Sequence, residues 1–102
     1  MSHIYTETTE SNELYLYADN TYSIYKGSIL PAVENLKRKY QHGEYNHEKA
    51  VTLWFYVACE AAKRYVSEFC TAGVHWYDVF DTTSRYTVAV DLERRYFEMV
   101  ES

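Results

Sequence analysis

The chain has 102 residues, of which 47% are hydrophobic and 25% charged, and its formal net charge is −5. This balance is typical of one globular domain; it excludes an intrinsically disordered chain, and the length excludes two domains. No apolar run approaches the length of a membrane span, and no secretory apolar segment follows Met1. We therefore expect a folded protein of the cytoplasm that does not enter a membrane.

The charges and the aromatic residues are unusual in their distribution and number. Residues 1–25 carry four acids and no base, residues 26–64 carry seven bases and four acids, and residues 65–102 carry seven acids and three bases. Acidic ends thus flank a basic middle. The 12 tyrosines raise the aromatic share to 18%, which is more ring surface than a small core requires. Exposed tyrosines favour protein recognition, and rings at the edge of the core are the alternative.

The two cysteines are not expected to form a disulfide. Cys59 and Cys70 lie eleven residues apart in what the sequence predicts to be one helix. At the helical rise per residue this spacing is about 16 Å, which is far longer than a disulfide can bridge. Two free thiols agree with a reducing compartment.

The N-terminal part divides into an arm and an ambiguous segment. Residues 1–10 lack an apolar period and predict a flexible arm, which leaves residues 11–102 as a single helical domain. Within residues 12–25, the alternation at Leu14–Tyr17 is compatible with a β-hairpin. The helical interpretation is favoured, because one helical face would collect Leu14, Tyr17, Ala18, Thr21 and Tyr25.

Three further helices follow from apolar spacing. The first has a stripe that ends before Gly43, and the second starts at an expected cap, Asn46, and carries a main stripe and a second apolar line. The third follows the cap candidates at residues 81–84, although the β-branched run at residues 87–90 would also suit a strand. The stripe of the first helix is Ile29, Val33, Leu36 and Tyr40. The main stripe of the second helix is Val51, Phe55, Ala58, Ala62, Tyr65 and Phe69, and its second line is Ala50, Trp54, Val57 and Ala61. The stripe of the third helix is Val88, Leu92, Tyr96 and Met99. We expect an all-α bundle of about four helices.

The sequence contains no recognised motif for catalysis or metal binding. The glycines are isolated, so no phosphate-binding loop can be built from them. The four possible metal ligands His42, Glu44, His47 and Glu48 span a helix end and a helix start, and their spacing matches no zinc pattern. His75 with Asp78 is the remaining acid–base candidate, although helix capping explains acids in this region more simply. We expect a protein that is not an enzyme and binds no cofactor or metal.

Two sets of residues are candidates for binding a macromolecule. The first joins the acidic, tyrosine-rich start of the chain to an aromatic connector and suits docking onto a basic protein. Its members are Tyr15, Tyr22, Tyr25, Trp76, Tyr77 and Asp78. The second set would gather bases from two antiparallel helices into a patch for nucleic acid, and its members are Lys37, Arg38, Lys39, Lys63 and Arg64. The broad apolar face of the central helix could be covered by the N-terminal helix or by a second copy in a homodimer.

Three phrases of the sequence resemble a family of small tailed-phage proteins of unassigned function. They are Glu13–Tyr17 (ELYLY), Gly43-x-Tyr45 with Ala50–Trp54 (AVTLW), and Ala61–Phe69 (AAKRYVSEF). The resemblance implies a viral origin and an accessory role in binding host machinery, and it implies no active site. We therefore expect a phage protein that binds and sterically inhibits a host or defence-system protein, as an anti-CRISPR-like inhibitor would. The alternative is a small nucleic-acid-binding protein.

Overall fold

The computed structural model of the chain describes residues 9–102, which form helices and no β-strand. The helices are α1 (Thr9–Asn20), α2 (Tyr22–Ile24), α3 (Leu30–Gln41), α4 (His47–Phe69), α5 (Trp76–Val79) and α6 (Thr82–Glu101), with a π-helical turn at Tyr25–Ile29. The prediction of an all-α bundle is confirmed, and the hairpin alternative for residues 12–25 is wrong. Of the arm predicted at residues 1–10, residues 1–8 lie outside the described residues, and Thr9 and Glu10 already belong to α1.

The helical run from Tyr22 to Gln41 is continuous but contains the π-helical turn. Thr21 has an extended backbone and separates the run from α1. Leu30 donates its amide N–H to the carbonyl of Tyr25, five residues earlier, instead of the usual four. The next residue, Pro31, has no amide N–H and its ring crowds the carbonyl four residues before it. The proline that suits the start of α3 therefore also explains the irregular turn that precedes it.

Two residues of the loop between α3 and α4 determine where α3 ends and where α4 begins. Gly43 follows α3 with a φ of 71°, a left-handed conformation that glycine adopts without strain. Asn46 caps α4, because its side chain accepts a hydrogen bond from the backbone N–H of Lys49 at 3.1 Å. Both predictions for this loop are confirmed.

The pair α4 and α6 forms the centre of the molecule. The two helices are antiparallel, because Tyr65 contacts Phe80 just before α6 begins, whereas His47 contacts Glu93 towards its other end. Helices α1 and α3 pack against α6, and α1 also packs against α4. The described part extends 44 × 35 × 17 Å, so it is a flat assembly about two helix layers thick. Among residues 9–102, no helix combines the length and the apolar character that crossing a membrane requires.

Both predicted apolar lines of α4 pack on the core, but to different depths. The whole second line is buried, namely Ala50, Trp54, Val57 and Ala61. In the predicted main stripe, Ala58 and Ala62 are buried, but Phe69 at its end is 62% exposed. Four alanines of the helix are buried, and its one large buried side chain, Trp54, stacks on Tyr96 of α6. The helix is confirmed, and both apolar lines face the core except at Phe69, because Val51, Phe55 and Tyr65 are partly buried against it.

Helix α6 is enclosed on most of its circumference. The β-branched run that would also suit a strand, residues 87–90, is entirely buried. A helix with consecutive buried residues is surrounded by other elements and needs no polar face there. The predicted stripe is confirmed at Val88, Leu92 and Tyr96, but Val100 takes the place of Met99, which is 37% exposed.

Replacement of Trp54 by alanine tests the position of the core. The side chain is 1% exposed and its ring stacks on Tyr96 with 5.5 Å between centroids. We expect Trp54→Ala to lower the free energy of unfolding by about 3–5 kcal/mol through cavity formation. Tyr56→Ala, in the same helix but at a side chain 64% exposed, should change it by less than about 0.5 kcal/mol. Urea denaturation measures both values, and equal losses would place the core elsewhere.

The cap of α6 gives a pH-dependent contribution to stability. The side chain of Asp81 accepts a hydrogen bond from the backbone N–H of Ser84 at 2.8 Å. This bond lowers the pKa of the carboxyl group in the folded protein. The contribution is therefore complete above the ordinary aspartate pKa of about 4 and is lost as the pH falls through the lowered value.

We expect Asp81→Ala to cost about 1 kcal/mol at neutral pH. The difference between this variant and the wild type should disappear in denaturation experiments at low pH. Asp81→Asn is the matched control, because asparagine caps a helix equally well but does not titrate. A difference for Asp81→Ala that stays constant down to low pH would contradict the assignment.

Candidate functional site

An exposed group of aromatic rings lies where α1 meets the end of α4. Tyr17 contacts Tyr65 edge to face with 5.2 Å between centroids, and Phe69 lies 4.9 Å from Tyr65 and 6.0 Å from Tyr17. Phe69 is 62% exposed. Below this group, Phe80 contacts Tyr65 at 5.2 Å and is itself buried. Tyr17 and Tyr65 thus pack against the core, and Phe69 beside them is exposed to solvent.

Two carboxylates complete this group. Tyr65 donates a hydrogen bond to Glu13 at 3.1 Å, and Tyr17 donates one to Glu68 at 3.4 Å. We call the five residues Glu13, Tyr17, Tyr65, Glu68 and Phe69 the acidic–aromatic surface.

The phenols of this surface remain hydrogen-bond donors. The bond to Glu13 raises the pKa of the Tyr65 phenol, and burial followed by the charge of Glu68 raises the pKa of the Tyr17 phenol. Both phenols therefore stay protonated at neutral pH. Each carboxylate retains oxygen lone pairs that its tyrosine does not use, and these can accept from a partner's cationic donors. The surface offers ring area together with negative charge.

The tyrosines predicted as partner-binding in the N-terminal part have separate environments. Tyr22 is 72% exposed, with the ammonium of Lys26 5.8 Å from its ring centroid. Tyr25 is half-buried and contacts Tyr96 at 6.4 Å, so it belongs to the edge of the core. Tyr15 is half-buried, and burial raises the pKa of its phenol. Only Tyr22 of these three is a freely exposed ring.

The predicted partner residues of the connector lie elsewhere. Trp76 is half-buried, with the guanidinium of Arg85 4.7 Å and the ammonium of Lys63 5.5 Å from its ring. Tyr77 is 49% exposed and stacks on His75, and Asp78 is exposed. Tyr15 lines a cleft with Arg95, ten residues beyond Arg85 along α6 and about 15 Å further along its axis. The structure does not bring the six predicted residues together.

The five predicted bases are also divided between two places. Lys39 lines the same cleft as Lys49 in the first turn of α4, near Lys37 and Arg38 of the same helix. Lys63 lies fourteen residues beyond Lys49, a distance of about 21 Å along the helix axis. Lys63 also pairs with Glu60 at 3.1 Å, and Arg64 follows it on the same exposed stretch. Helix α3 meets α4 as predicted, but the bases fall at opposite ends of the contact.

The residues considered for metal or acid–base chemistry do not converge. Within residues 9–102, His, Cys, Asp and Glu side chains form no group of three or more that could hold a metal ion. Of the four candidates, His47 is instead bound to Glu93. His75 stacks on the ring of Tyr77 with 5.1 Å between centroids, and Asp78 is exposed beside it. Cys59 and Cys70 are free thiols, as predicted.

Sequence reasoning missed two carboxylates that join distant parts of the chain. Glu93 is buried in α6 and accepts hydrogen bonds from Tyr45 at 2.6 Å and from His47 at 2.8 Å. Asp19 of α1 accepts from Tyr96 at 2.5 Å and from Arg95 at 3.3 Å. The only local signal for Glu93 is an acid within an otherwise apolar helix face, and its partners lie more than forty residues away.

Comparison of the chain with protein-family models, with curated proteins and with solved structures gives no match.

The bond between Tyr45 and Glu93 should be measurable as stability. Burial and the bond to Glu93 both raise the pKa of the Tyr45 phenol, so the phenol is protonated and donates at neutral pH. Hydrogen bonds to a charged group contribute about 1.5–3 kcal/mol, and we expect Tyr45→Phe to cost an amount in this range. Tyr22→Phe at an exposed ring is the control. Equal denaturation midpoints for both variants would show that the bond contributes nothing.

Proposed function

We propose that this chain is a non-catalytic interaction protein that binds a basic partner protein through the acidic–aromatic surface. The observation that carries the proposal is the exposure of Phe69, a large ring held by Tyr17 and Tyr65 and flanked by two carboxylates. An exposed apolar ring on a rigid support costs little to order when a partner covers it, and aromatic side chains are frequent anchors of binding energy.

Charge supports the choice of a basic partner. Glu13 and Glu68 are each hydrogen-bonded to a tyrosine of this surface, and the chain as a whole is acidic. Complementary charge accelerates the encounter of two proteins and excludes partners of the same sign. Arg64, on the turn of α4 before Glu68, is an opposite charge close enough to act on the Tyr17 phenol, whose pKa it lowers in part. The surface as a whole remains acidic.

The resemblance to small tailed-phage proteins supports a more specific form of the proposal. The chain would act in the cytoplasm of a host cell, where it would cover the nucleic-acid-binding surface of a host or defence-system protein and inhibit it sterically, as an anti-CRISPR-like protein would. Steric inhibition needs only a stable complex and no chemical step. A negatively charged surface suits this role, because the surface that it would cover binds a polyanion.

Nucleic-acid binding by this chain has less support. Affinity for a phosphate backbone increases with the number of bases that act together, and the five predicted bases are split between the two ends of α4 and α3. Lys63 is further engaged by Glu60 and by the ring of Trp76.

The proposal predicts that binding depends on Phe69 and Glu68 and not on other exposed rings. We would purify partners of the tagged protein from infected cells and identify them by mass spectrometry, then measure affinity for the purified partner. We expect Phe69→Ser and Glu68→Lys each to weaken the complex at least about tenfold, the loss typical of a removed anchor. Tyr56→Ser is the matched control, because this side chain lies in the same helix and is 64% exposed.

Two further variants separate this surface from the residues favoured by the sequence. Tyr22→Ser and Tyr77→Ser should leave the affinity unchanged. The proposal fails if Phe69→Ser, shown by circular dichroism to be folded, retains the partner as well as the wild type does. It also fails if no specific partner is recovered.

A further inference from the structure

At the other end of α4, a buried carboxylate holds an exposed imidazole in one orientation. Glu93 accepts hydrogen bonds from the Tyr45 phenol and from Nδ1 of His47. Burial and this bond raise the pKa of the Tyr45 phenol, so Tyr45 donates and Glu93 accepts as a carboxylate. Because Glu93 can only accept, Nδ1 of His47 must carry its proton. The identity of the protonated nitrogen is thus fixed by a residue forty-six positions away.

The other ring nitrogen of His47 is left for a ligand. The ring contacts Tyr45 at 5.3 Å and Phe97 at 5.7 Å between centroids, and these contacts support its orientation. The side chain is nevertheless 71% exposed. When Nδ1 carries the proton of a neutral imidazole, Nε2 presents a lone pair and acts as a hydrogen-bond acceptor.

A groove begins at this imidazole and runs between α4 and the first turns of α6. Its volume is about 570 Å³, within the range of small-molecule sites. Val51 and Phe55 provide apolar surface along α4, Tyr56 and Tyr86 add aromatic walls, and Thr82 adds a hydroxyl group. A site of this kind suits a flat apolar ring with one polar substituent.

The charges around the groove favour a cation. Glu48 lines the groove beside His47, and Glu93 lies behind the imidazole. The opposing charge is Arg85, whose guanidinium lies 5.3 Å from the Phe55 ring centroid and donates to the carbonyl of Phe80 and to Thr82. Two negative charges and one positive charge therefore lie at the groove. The positive charge, on Arg85, is buried and hydrogen-bonded within the protein.

We propose that this groove binds a small arylalkylamine, a flat aromatic ring that carries a protonated amine. The ring lies on Val51 and Phe55, and the ammonium group donates to Glu48 and to Nε2 of His47. The acceptors at the mouth of the groove match an ammonium donor, and the apolar surface matches the ring. This site is separate from the acidic–aromatic surface, which lies at the opposite end of α4, so the inference does not depend on the proposed function.

Three indole probes of different charge test the proposal by NMR on the full chain. Tryptamine carries a protonated amine, indole carries no charge, and indole-3-propionate is an anion. We expect saturable shifts of the His47 ring signals and of the Val51 and Phe55 amides with tryptamine, with a Kd of about 1 mM or tighter. Indole should bind about fivefold more weakly, the upper contribution of an exposed ion pair, and indole-3-propionate should not saturate.

Variants of three acidic residues test which side chains cause the preference for tryptamine over indole. Glu48→Gln should reduce the difference between tryptamine and indole while leaving indole binding unchanged, and Glu44→Gln, at an exposed acid of the preceding loop, is the matched control that leaves the difference as in the wild type. Glu93→Gln should weaken tryptamine binding by releasing His47. Glu48 is exposed, so the Glu48→Gln test stands even if Glu93→Gln unfolds the protein.

Equal binding of the three probes would overturn the proposal, as would shifts located away from the groove or no saturable shift with tryptamine. The variant Phe69→Ser should bind tryptamine as the wild type does. A loss of partner binding in that variant with unchanged tryptamine binding would confirm that the two sites are independent.

Discussion

The close antiparallel contact between α4 and α6 is the constraint on which the other features of the structure depend. Trp54 of α4 is buried and stacks on Tyr96 of α6 with 5.5 Å between ring centroids. The same contact brings Glu93 of α6 to His47 at the start of α4, whereas Phe69 at the other end of α4 is exposed.

Tyrosine–carboxylate pairs explain much of the unusual composition. Four tyrosines donate to an acid in another element: Tyr17 to Glu68, Tyr65 to Glu13, Tyr96 to Asp19 and Tyr45 to Glu93. Such a pair packs ring area at the edge of the core and satisfies a carboxylate with the polar tip of the ring. The surplus of tyrosines and the acidic balance therefore serve helix packing as well as any binding surface. Composition alone pointed to recognition because it cannot show which rings are paired.

Features set by neighbouring residues could be predicted from the sequence, and features set by distant contacts could not. Asn46 and Gly43 delimit helices through bonds and backbone conformations that involve only nearby residues, so their roles were predictable. The depth to which each residue of the two apolar lines of α4 is buried was not, because both lines have helical spacing and burial depends on the helices that pack against them. The role of Glu93 depends on partners more than forty residues away, so no local sequence pattern indicates it. For the same reason, the sequence grouped six partner-binding residues that the fold separates.

Our central claim is that α4 presents Phe69 at one end to a partner while Trp54 in the same helix is buried against α6. Photo-crosslinking in infected cells tests this claim most directly, with a photoreactive phenylalanine analogue placed at position 69 or at position 54. The account predicts an adduct with one specific protein from position 69 and only products within the chain from position 54. The absence of an intermolecular adduct from position 69, or the same adduct from position 54, would contradict it.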